Sequence, residues 1–351
     1  MNEETMLAWG LTERFSVLAA EYPEFTAARV LSQEKGVYRV VCAAGEQNAA
    51  VSGKFRFEAQ TVADYPAVGD FVMIVPDPRG GQAVIHRVLP RKSVFIRKAA
   101  GKSRHEQLIA ANVDTVFLCM SLNNDFNLRR LERYLSIAWD SGASPVVVLT
   151  KADLCGDCED KRTAAESNAL GTEVLLTSGL AEEGCETIRP YLRAGRTVAF
   201  IGSSGVGKST LINRLLGKER MAVNGLRDDD KGRHTTTHRE LLLLPQGGLV
   251  IDTPGMRELG MWDTEEGLER AFADIEERIK ACRFPNCTHR SEPGCAVRAA
   301  LERGTLTAER WQSYQKLRAE TAYAENSESY LVAKQRKFKE IARINKANKK
   351  R

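Results

Sequence analysis

The sequence has no apolar run long enough to cross a membrane. Runs such as Val146–Leu149 and Leu241–Leu244 are far shorter than the roughly 18 residues that a spanning helix needs. The first residues include the acids Glu3 and Glu4 and lack a basic segment followed by an apolar one, so they do not resemble a signal peptide. We therefore expect a cytoplasmic protein that does not bind membranes.

The chain also lacks the cysteine pattern of a disulfide-stapled protein. Its eight cysteines would stay reduced in the cytoplasm, which argues against a disulfide framework. Cys155 and Cys158 have a Cys-x-x-Cys spacing, but no second pair accompanies them, so we predict neither a redox site nor a metal site there.

Excess positive charge is concentrated in two segments. The net charge is +5, yet the tail Leu331–Arg351 contains nine Lys or Arg residues and one acid, so residues 1–330 carry −3. A second stretch, His86–His105, contains seven Lys or Arg residues and no acid. Basic clusters on an acidic body suggest a polyanionic partner such as RNA, and the alternative is that they are merely solvated.

The length of 351 residues predicts two or three domains, at about 100–200 residues per domain. Short apolar segments separated by turns occur between residues 37 and 89. The predicted strands here are Val37–Val41, Val51–Phe57, Phe71–Val75 and Val84–Leu89. Their spacing and the segment's length favour a five-stranded OB-like barrel, a scaffold that often binds RNA. The alternative is a barrel that only supports its neighbour.

From about residue 112, apolar strands alternate with amphipathic helices. The predicted strands are Thr115–Met120, Pro145–Thr150, Glu173–Thr177, Thr197–Ile201, Glu240–Leu244 and Leu249–Asp252. One intervening helix is expected over Asn127–Trp139, with Gly142 ending it. This alternation predicts a mostly parallel sheet with helices on both sides. After Gly260 we expect helices only, over about 265–281 and 306–324.

The strongest motif is a glycine-rich loop between a predicted strand and a predicted helix. Its residues are Gly202, Ser203, Ser204, Gly205, Val206, Gly207, Lys208 and Ser209. They fit the motif Gly-x-x-x-x-Gly-Lys-Ser. The backbone N–H groups of such a loop wrap nucleotide phosphates at a helix N-terminus, and here we expect them to extend to Thr210. Lys208, which we count as catalytic, would reach the β- and γ-phosphates, and the Ser209 hydroxyl would bind Mg²⁺.

Two segments downstream of this loop are candidate switches. The predicted strand 249–252 ends in Asp252-Thr253-Pro254-Gly255, where Asp252 could hold Mg²⁺ and the Gly255 amide could sense the γ-phosphate. The segment Gly232–Thr237 lies where a first switch belongs, and a threonine there would complete the Mg²⁺ shell. We favour Thr237 over Thr236 for this role.

A third motif predicts which base is bound. Thr150, Lys151, Ala152 and Asp153 follow a predicted strand and resemble the Asn/Thr-Lys-x-Asp guanine motif of GTPases. The Asp153 carboxylate could accept hydrogen bonds from the ring N–H and the exocyclic amine of guanine, a donor pair that adenine lacks. The stem of Lys151 could cover the base. Thr177 and Ser178 fit the second guanine loop. An ordinary strand-to-loop turn is the alternative for this motif.

The order of these motifs is unusual. In ordinary GTPases the guanine motif follows the P-loop, whereas here it precedes the P-loop by about 50 residues. The motifs thus form a circular permutation of the GTPase order. Such a permutation is tolerable because the termini of domains tend to lie close together on the surface.

The last constellation is Cys282-x4-Cys287-x-His289-x5-Cys295. Three thiolates and one imidazole at this spacing match a closed, structural zinc site. Free buried cysteines are the alternative. A catalytic zinc is disfavoured, because four protein ligands leave no open position.

Taken together, these motifs resemble the bacterial ribosome small-subunit-dependent GTPase A family over nearly the whole chain. The resemblance rests on the permuted order, Gly-Arg-His-Thr-Thr-Thr at 232–237, Asp-Thr-Pro-Gly at 252–255 and the Cys/His spacing. It implies a circularly permuted α/β P-loop GTPase domain at 106–262, after an N-terminal extension and OB-fold barrel at 1–105. A mostly helical zinc-binding domain at 263–330 and the basic tail at 331–351 would complete the chain.

The resemblance also implies what the protein does. It indicates a GTPase that binds the small ribosomal subunit and its rRNA and assists late maturation of the subunit. Hydrolysis of GTP to GDP and phosphate would be slow unless the subunit stimulates it. The implied cofactors are one structural Zn²⁺, and Mg²⁺ with GTP; we expect a monomer.

Catalysis needs a group that orients the attacking water. Ras-like proteins carry a glutamine directly after Asp-x-x-Gly, but here that position is Met256, whose thioether cannot orient water. The resemblance points instead to His234 of the first switch, and the alternative is that His234 only caps or packs that segment.

Two other functions compete with this interpretation. One is an RNA-binding module whose nucleotide site only locks a conformation. The other is a P-loop kinase or ATPase, which Asp153 argues against.

Overall fold

The computed structural model describes residues 3–34, 36–98, 106–123, 125–179, 184–217, 239–252 and 265–321. The chain divides into two compact units, Met1–Met261 and Trp262–Arg351. The predicted features that lie outside the described residues are His234, Thr236, Thr237, Gly255, Met256 and the tail Leu331–Arg351.

The first unit begins with two short helices, α1 (Glu3–Ala8) and α2 (Glu13–Ala20). The strands of a closed β-barrel follow them in the chain. The barrel strands are β1 (Thr26–Glu34), β2 (Val37–Cys42), β3 (Gly45–Val51), β4 (Phe71–Val75) and β5 (Ala83–Val88). They run in the order β1-β2-β3-β5-β4, and β4 pairs back onto β1. Val30, Val40, Val72 and Ile85 are among the side chains buried inside. The predicted OB-like five-stranded barrel is confirmed.

Two details of the predicted barrel were wrong. The expected strand Val51–Phe57 is a helix, α3 (Gly53–Glu58), because Ser52 caps it by accepting from the Phe55 N–H at 3.0 Å. Phe55 of this helix packs against the barrel core. The alternation of apolar and polar residues over 51–57 therefore belongs to a short helix and not to a strand. Strands β1 and β3 were missed. In β1 four consecutive residues are buried, which removes the alternating pattern, and β3 contains the polar run Glu46–Asn48.

The remaining strands of the first unit form a hairpin and a mostly parallel sheet. The hairpin pairs β6 (Val94–Lys98) with β7 (Glu106–Ala111) and was not predicted. The sheet strands are β8 (Thr115–Ser121), β9 (Ser144–Thr150), β10 (Val174–Leu176), β11 (Thr197–Ile201), β12 (Glu240–Leu243) and β13 (Leu249–Asp252). Their order is β10-β9-β8-β11-β13-β12, and β12 is antiparallel to β13. The six strands predicted here are confirmed.

Helices α4 (Leu128–Ser141), α5 (Cys158–Asn168) and α6 (Lys208–Leu216) follow β8, β9 and β11 respectively. The side chain of Asn127 caps α4, and Gly142 ends it with φ of 81°. Short 3₁₀ helices occur at Val62–Asp64, Ala152–Leu154 and Glu186–Tyr191. Because β8, β9, β10 and β11 are parallel, the loops after them meet at one edge of the sheet, where α/β proteins bind ligands.

A buried arginine joins the barrel to the sheet. Arg29 of β1 donates to the carbonyl oxygens of Gly69 (3.3 Å) and Trp9 (2.5 Å) and to Thr197 Oγ1 (2.7 Å). Its guanidinium also lies 4.8 Å from the centre of the Phe71 ring. Burial lowers the pKa of Arg29 to about 10, so it remains charged at neutral pH. It therefore ties the barrel and the N-terminal segment to β11.

Two cations of the basic stretch His86–His105 are half-buried and form ion pairs. Arg91 forms an ion pair with the buried Asp70 at 2.7 Å, and Lys92 pairs with Asp114 at 2.6 Å. Burial raises the pKa of Asp70, and its bonds to Arg91 oppose that rise. These two cations therefore stabilise the first unit and do not contribute to a basic surface.

We predict that Arg29→Met will lower the free energy of unfolding by about 3 kcal/mol, because it leaves buried acceptors at Gly69, Trp9 and Thr197 without their charged donor. Urea denaturation measures the change. Arg39→Met is the matched control, since Arg39 also links the barrel to β12, through Glu240, but is 40% exposed. Its loss should cost less than about 1 kcal/mol. Equal losses in the two variants would contradict the prediction.

The regular secondary structure in the described part of the second unit is helical, and an irregular segment separates α8 from α9. Its helices are α7 (Glu265–Ala271), α8 (Ala273–Lys280), α9 (Ala296–Glu302) and α10 (308–321). The single helix predicted over 265–281 is interrupted at Phe272, whose ring is buried beneath the Arg310 guanidinium. Arg310 also pairs with Asp274 at 2.7 Å. None of the helices in the described ranges is long and apolar enough to span a membrane.

Candidate functional site

The glycine-rich loop connects β11 to α6, as the motif predicts. Gly202 has φ of 155°, and a Cβ there would lie 2.4 Å from the Cys119 carbonyl oxygen of the neighbouring β8. Gly207 has φ of 96° and forms the N-cap of α6. Both positions therefore require glycine. Ser204 and Gly205, at the tip of the loop, are exposed.

Lys208 bends back over this loop. Its ammonium group donates to the carbonyl oxygens of Gly202 at 2.5 Å and Ser203 at 2.6 Å. Ser209 and Thr210 follow it in the first turn of α6, where they are half-buried. The backbone N–H groups of that turn, together with the ammonium group, make a site suited to phosphate.

Thr150 joins the guanine motif to the P-loop. It is the last residue of β9 and is buried, and its hydroxyl donates to the Val206 carbonyl oxygen at 2.5 Å. In this fold, the threonine hydroxyl makes a direct bond between the two motifs, which are about 50 residues apart in the permuted chain.

The two predicted guanine loops also meet. The Ser178 hydroxyl donates to one carboxylate oxygen of the exposed Asp153, and the Ala152 N–H donates to the Thr177 carbonyl oxygen at 3.1 Å. Lys151 adopts a left-handed conformation with φ of 59°, which turns the chain sharply after β9. The Asp153 carboxylate is therefore oriented from the second loop, as a group that recognises a base must be.

Sequence reasoning missed two arginines beside these loops. Arg214 of α6 donates to the carbonyl oxygen of Gly179, the residue after Ser178, at 2.9 Å. Arg130 of α4 donates to Ser203 Oγ of the P-loop at 2.5 Å. The sequence signals these arginines only through their distance from other features. Arg214 lies one helical turn after Thr210, and Arg130 lies in the first turn after the N-cap of α4.

Of the three predicted magnesium ligands, Ser209 and Asp252 lie within the described residues and Thr237 lies outside them. Strand β13 ends at Asp252 and runs parallel to β11, with Ile251 paired to Ala199, so its carboxyl end lies at the edge that carries the P-loop. Ser209 lies in the first turn of α6 at that edge.

The predicted Cys/His cluster is assembled in the second unit. The ligand atoms of Cys282, Cys287, His289 and Cys295 all lie within 4.8 Å of one another. His289 Nδ1 is 3.6 Å from Cys282 Sγ and 3.5 Å from Cys295 Sγ. This donor set and its compactness fit a metal ion with four tetrahedral ligands.

The backbone at the start of α9 favours the thiolate form of Cys282, whereas burial raises the pKa of Cys287 to about 11. Burial opposes ionisation of Cys282, but N–H groups of Val297 and Ala296 at the start of α9 lower its pKa overall. Glu292 fixes the intervening turn by accepting from the N–H groups of Thr288 (2.8 Å) and Arg290 (3.0 Å). Positive φ at His289 and Gly294 completes the turn.

Comparison with known proteins adds an independent observation. The model of the RsgA GTPase family matches residues 88–262. A protein of Lactiplantibacillus plantarum named small ribosomal subunit biogenesis GTPase RsgA 2 is 50% identical, over 91% of this chain and 90% of its own. A protein of Opitutus terrae named small ribosomal subunit biogenesis GTPase RsgA is 48% identical, over 88% of this chain and 87% of its own.

Solved structures are similar as well. YjeQ from Thermotoga maritima has a TM-score of 0.64 and 29% identity, covering 85% of this chain and 98% of its own. YloQ, described as a circularly permuted GTPase, has a TM-score of 0.63 and 28% identity, covering 86% of this chain and 96% of its own. The permuted order of motifs is thus shared with a solved structure.

Proposed function

The chain belongs to the RsgA GTPase family, and from that premise we propose that it binds the small ribosomal subunit and assists its late maturation. As a member of that family it is an enzyme that hydrolyses GTP. The observation that carries the ribosomal role is the 50% identity to a small ribosomal subunit biogenesis GTPase over 91% of this chain. The Thr150–Val206 hydrogen bond, which joins the base-recognition and phosphate-binding motifs of the permuted chain, supports the nucleotide site.

We propose the following division of labour in the nucleotide site. The loop Gly202–Thr210 binds the phosphates through its N–H groups, and Lys208 neutralises the charge on the β- and γ-phosphates. Asp153 recognises guanine, Lys151 covers the base, and Thr177 and Ser178 complete the pocket. Ser209, Asp252 and Thr237 hold Mg²⁺, which supplies charge stabilisation at the phosphates. Gly255 senses the γ-phosphate.

Each predicted domain has a proposed role. The rRNA is bound by residues 1–105, which include the barrel, and by the tail 331–351. Exposed cations make these contacts; Arg91 and Lys92 do not, because each is paired with an acid. Residues 106–262 hydrolyse GTP. Residues 263–330 fold around one structural zinc ion held by Cys282, Cys287, His289 and Cys295. We propose that the protein works as a monomer in the cytoplasm.

Phosphate release tests this function against its two rivals. We expect release from GTP and not from ATP, with faster release when small ribosomal subunits are added. Release from ATP at a similar rate would favour a P-loop kinase or ATPase. Absence of release above background under every condition would favour an RNA-binding module that hydrolyses nothing.

We propose that His234 orients the attacking water when the protein is bound to the small ribosomal subunit. An imidazole with a pKa near neutrality can hold a water through either ring nitrogen, and correct placement accounts for stimulated turnover. His234→Ala is expected to keep GTP and subunit binding while stimulated phosphate release falls about 100-fold. His238→Ala, which changes another histidine four residues away, is the matched control. Normal stimulated turnover by the His234 variant would refute the role.

A further inference from the structure

Arg130 connects helix α4 to the P-loop across 73 positions of the chain. Its Nη1 donates to Ser203 Oγ at 2.5 Å and to both carboxylate oxygens of Asp125, at 2.8 and 2.9 Å. The backbone is fixed as well, because the Arg130 N–H donates to the capping side chain of Asn127 at 3.1 Å. The guanidinium is thus held by its own loop and helix while it contacts Ser203.

Ser203 is therefore contacted by two cations. The guanidinium of Arg130 binds its hydroxyl, and the ammonium of Lys208 binds its carbonyl oxygen. We expect nucleotide binding to change one of these two contacts and to leave the other in place. Lys208 would turn toward the phosphates when nucleotide binds, whereas Arg130 is tied to Asp125 and would keep its bond to the loop.

We propose that Arg130 is a positioning residue of the nucleotide site, which holds Ser203 and the first half of the P-loop in the conformation that binds phosphate. The inference rests on the proposed nucleotide site. Arg130 acts through Ser203, so it is not a catalytic residue. Its charge-assisted bond fixes the loop before nucleotide arrives, which reduces the ordering cost of binding.

Affinities for fluorescent GDP and GTP analogues test the inference on the full-length protein. Arg130→Ala is expected to weaken both affinities about tenfold, with little change in turnover at saturating GTP, because the lost bond positions the loop in every bound state. Arg130→Lys should recover part of the loss. Arg129→Ala is the matched control, since Arg129 is the exposed neighbour on the same turn.

A double-mutant cycle separates positioning from a general structural role. Ser203→Ala should weaken nucleotide binding as Arg130→Ala does, and the double variant should be no weaker than either single one, because both remove one bond. Additive losses, or wild-type affinity in Arg130→Ala, would overturn the inference. If Arg130→Ala does not fold, Arg130→Gln takes its place in the cycle. Failure of the wild-type protein to bind GTP would instead refute the proposed nucleotide site.

Discussion

Cys287→Ala is expected to lose its zinc ion and to unfold the segment between α8 and α9, while the first unit still binds GTP. The segment 281–296 cannot form a core by itself, since Phe284, its one large apolar side chain, is 38% exposed. We therefore expect metal binding to supply much of its folding free energy. In zinc-finger peptides that contribution is about 10–16 kcal/mol.

Metal analysis and limited proteolysis measure the two parts of this result. The wild-type protein should contain one equivalent of zinc and resist cleavage at 281–296, whereas the variant should contain none and be cleaved there. Cys155→Ala is the matched control, because it removes another half-buried thiol, in the first unit, and should retain the metal. One equivalent of zinc in Cys287→Ala would contradict the assignment of Cys287 as a ligand.

The GTP-binding arm of this prediction follows from the division of the chain. Cys287 lies in the unit Trp262–Arg351, and the P-loop and both guanine loops lie in Met1–Met261. Loss of zinc should therefore leave the hydrogen bonds among Thr150, Val206, Asp153 and Ser178 intact. We therefore expect the GTP affinity to stay within about twofold of the wild-type value. On the scale where a tenfold change is about 1.4 kcal/mol, this is a small difference in binding free energy.

The features that the sequence predicted correctly are those encoded locally. The strand, loop and helix over 197–216 and the close approach of the Cys/His residues each depend on residue types at short, fixed spacings. The central residues of the parallel strands, such as Val116–Met120 and Val146–Leu149, are apolar and buried in succession, which is typical of a sheet covered on both faces. Such signals depend on neighbours in the chain and can be recognised without knowledge of the tertiary structure.

The features that the sequence did not reveal depend on distant partners. Arg29 bonds to Thr197, 168 positions away, and Arg130 bonds to Ser203, 73 positions away. Arg91 and Lys92 look like surface charges in the sequence because their acidic partners, Asp70 and Asp114, are about 20 positions away. Charge patterning alone does not distinguish an arginine that faces solvent from one that holds a P-loop or a domain junction.

Asp153→Asn tests base recognition, which carries the assignment of GTP as substrate. A carboxylate offers only acceptors to the ring N–H and exocyclic amine of guanine, whereas an asparagine amide places a donor against one of them. A site that leaves such polar groups unpaired discriminates by about 10⁴-fold, so we expect GTP affinity to fall by about that factor. Calorimetric titration with GTP measures the fall.

The same substitution should shift preference toward xanthosine nucleotides. Xanthine carries a carbonyl where guanine has its exocyclic amine, and the asparagine N–H₂ can donate to that oxygen. Ser178 should still orient the new side chain, since its hydroxyl can donate to the amide oxygen as it does to the Asp153 carboxylate. Asp157→Asn is the matched control, because it makes the same change at an exposed acid paired with Lys161 at 2.9 Å. That control should bind GTP normally, and unchanged GTP affinity in Asp153→Asn would remove the basis for guanine selection by this loop.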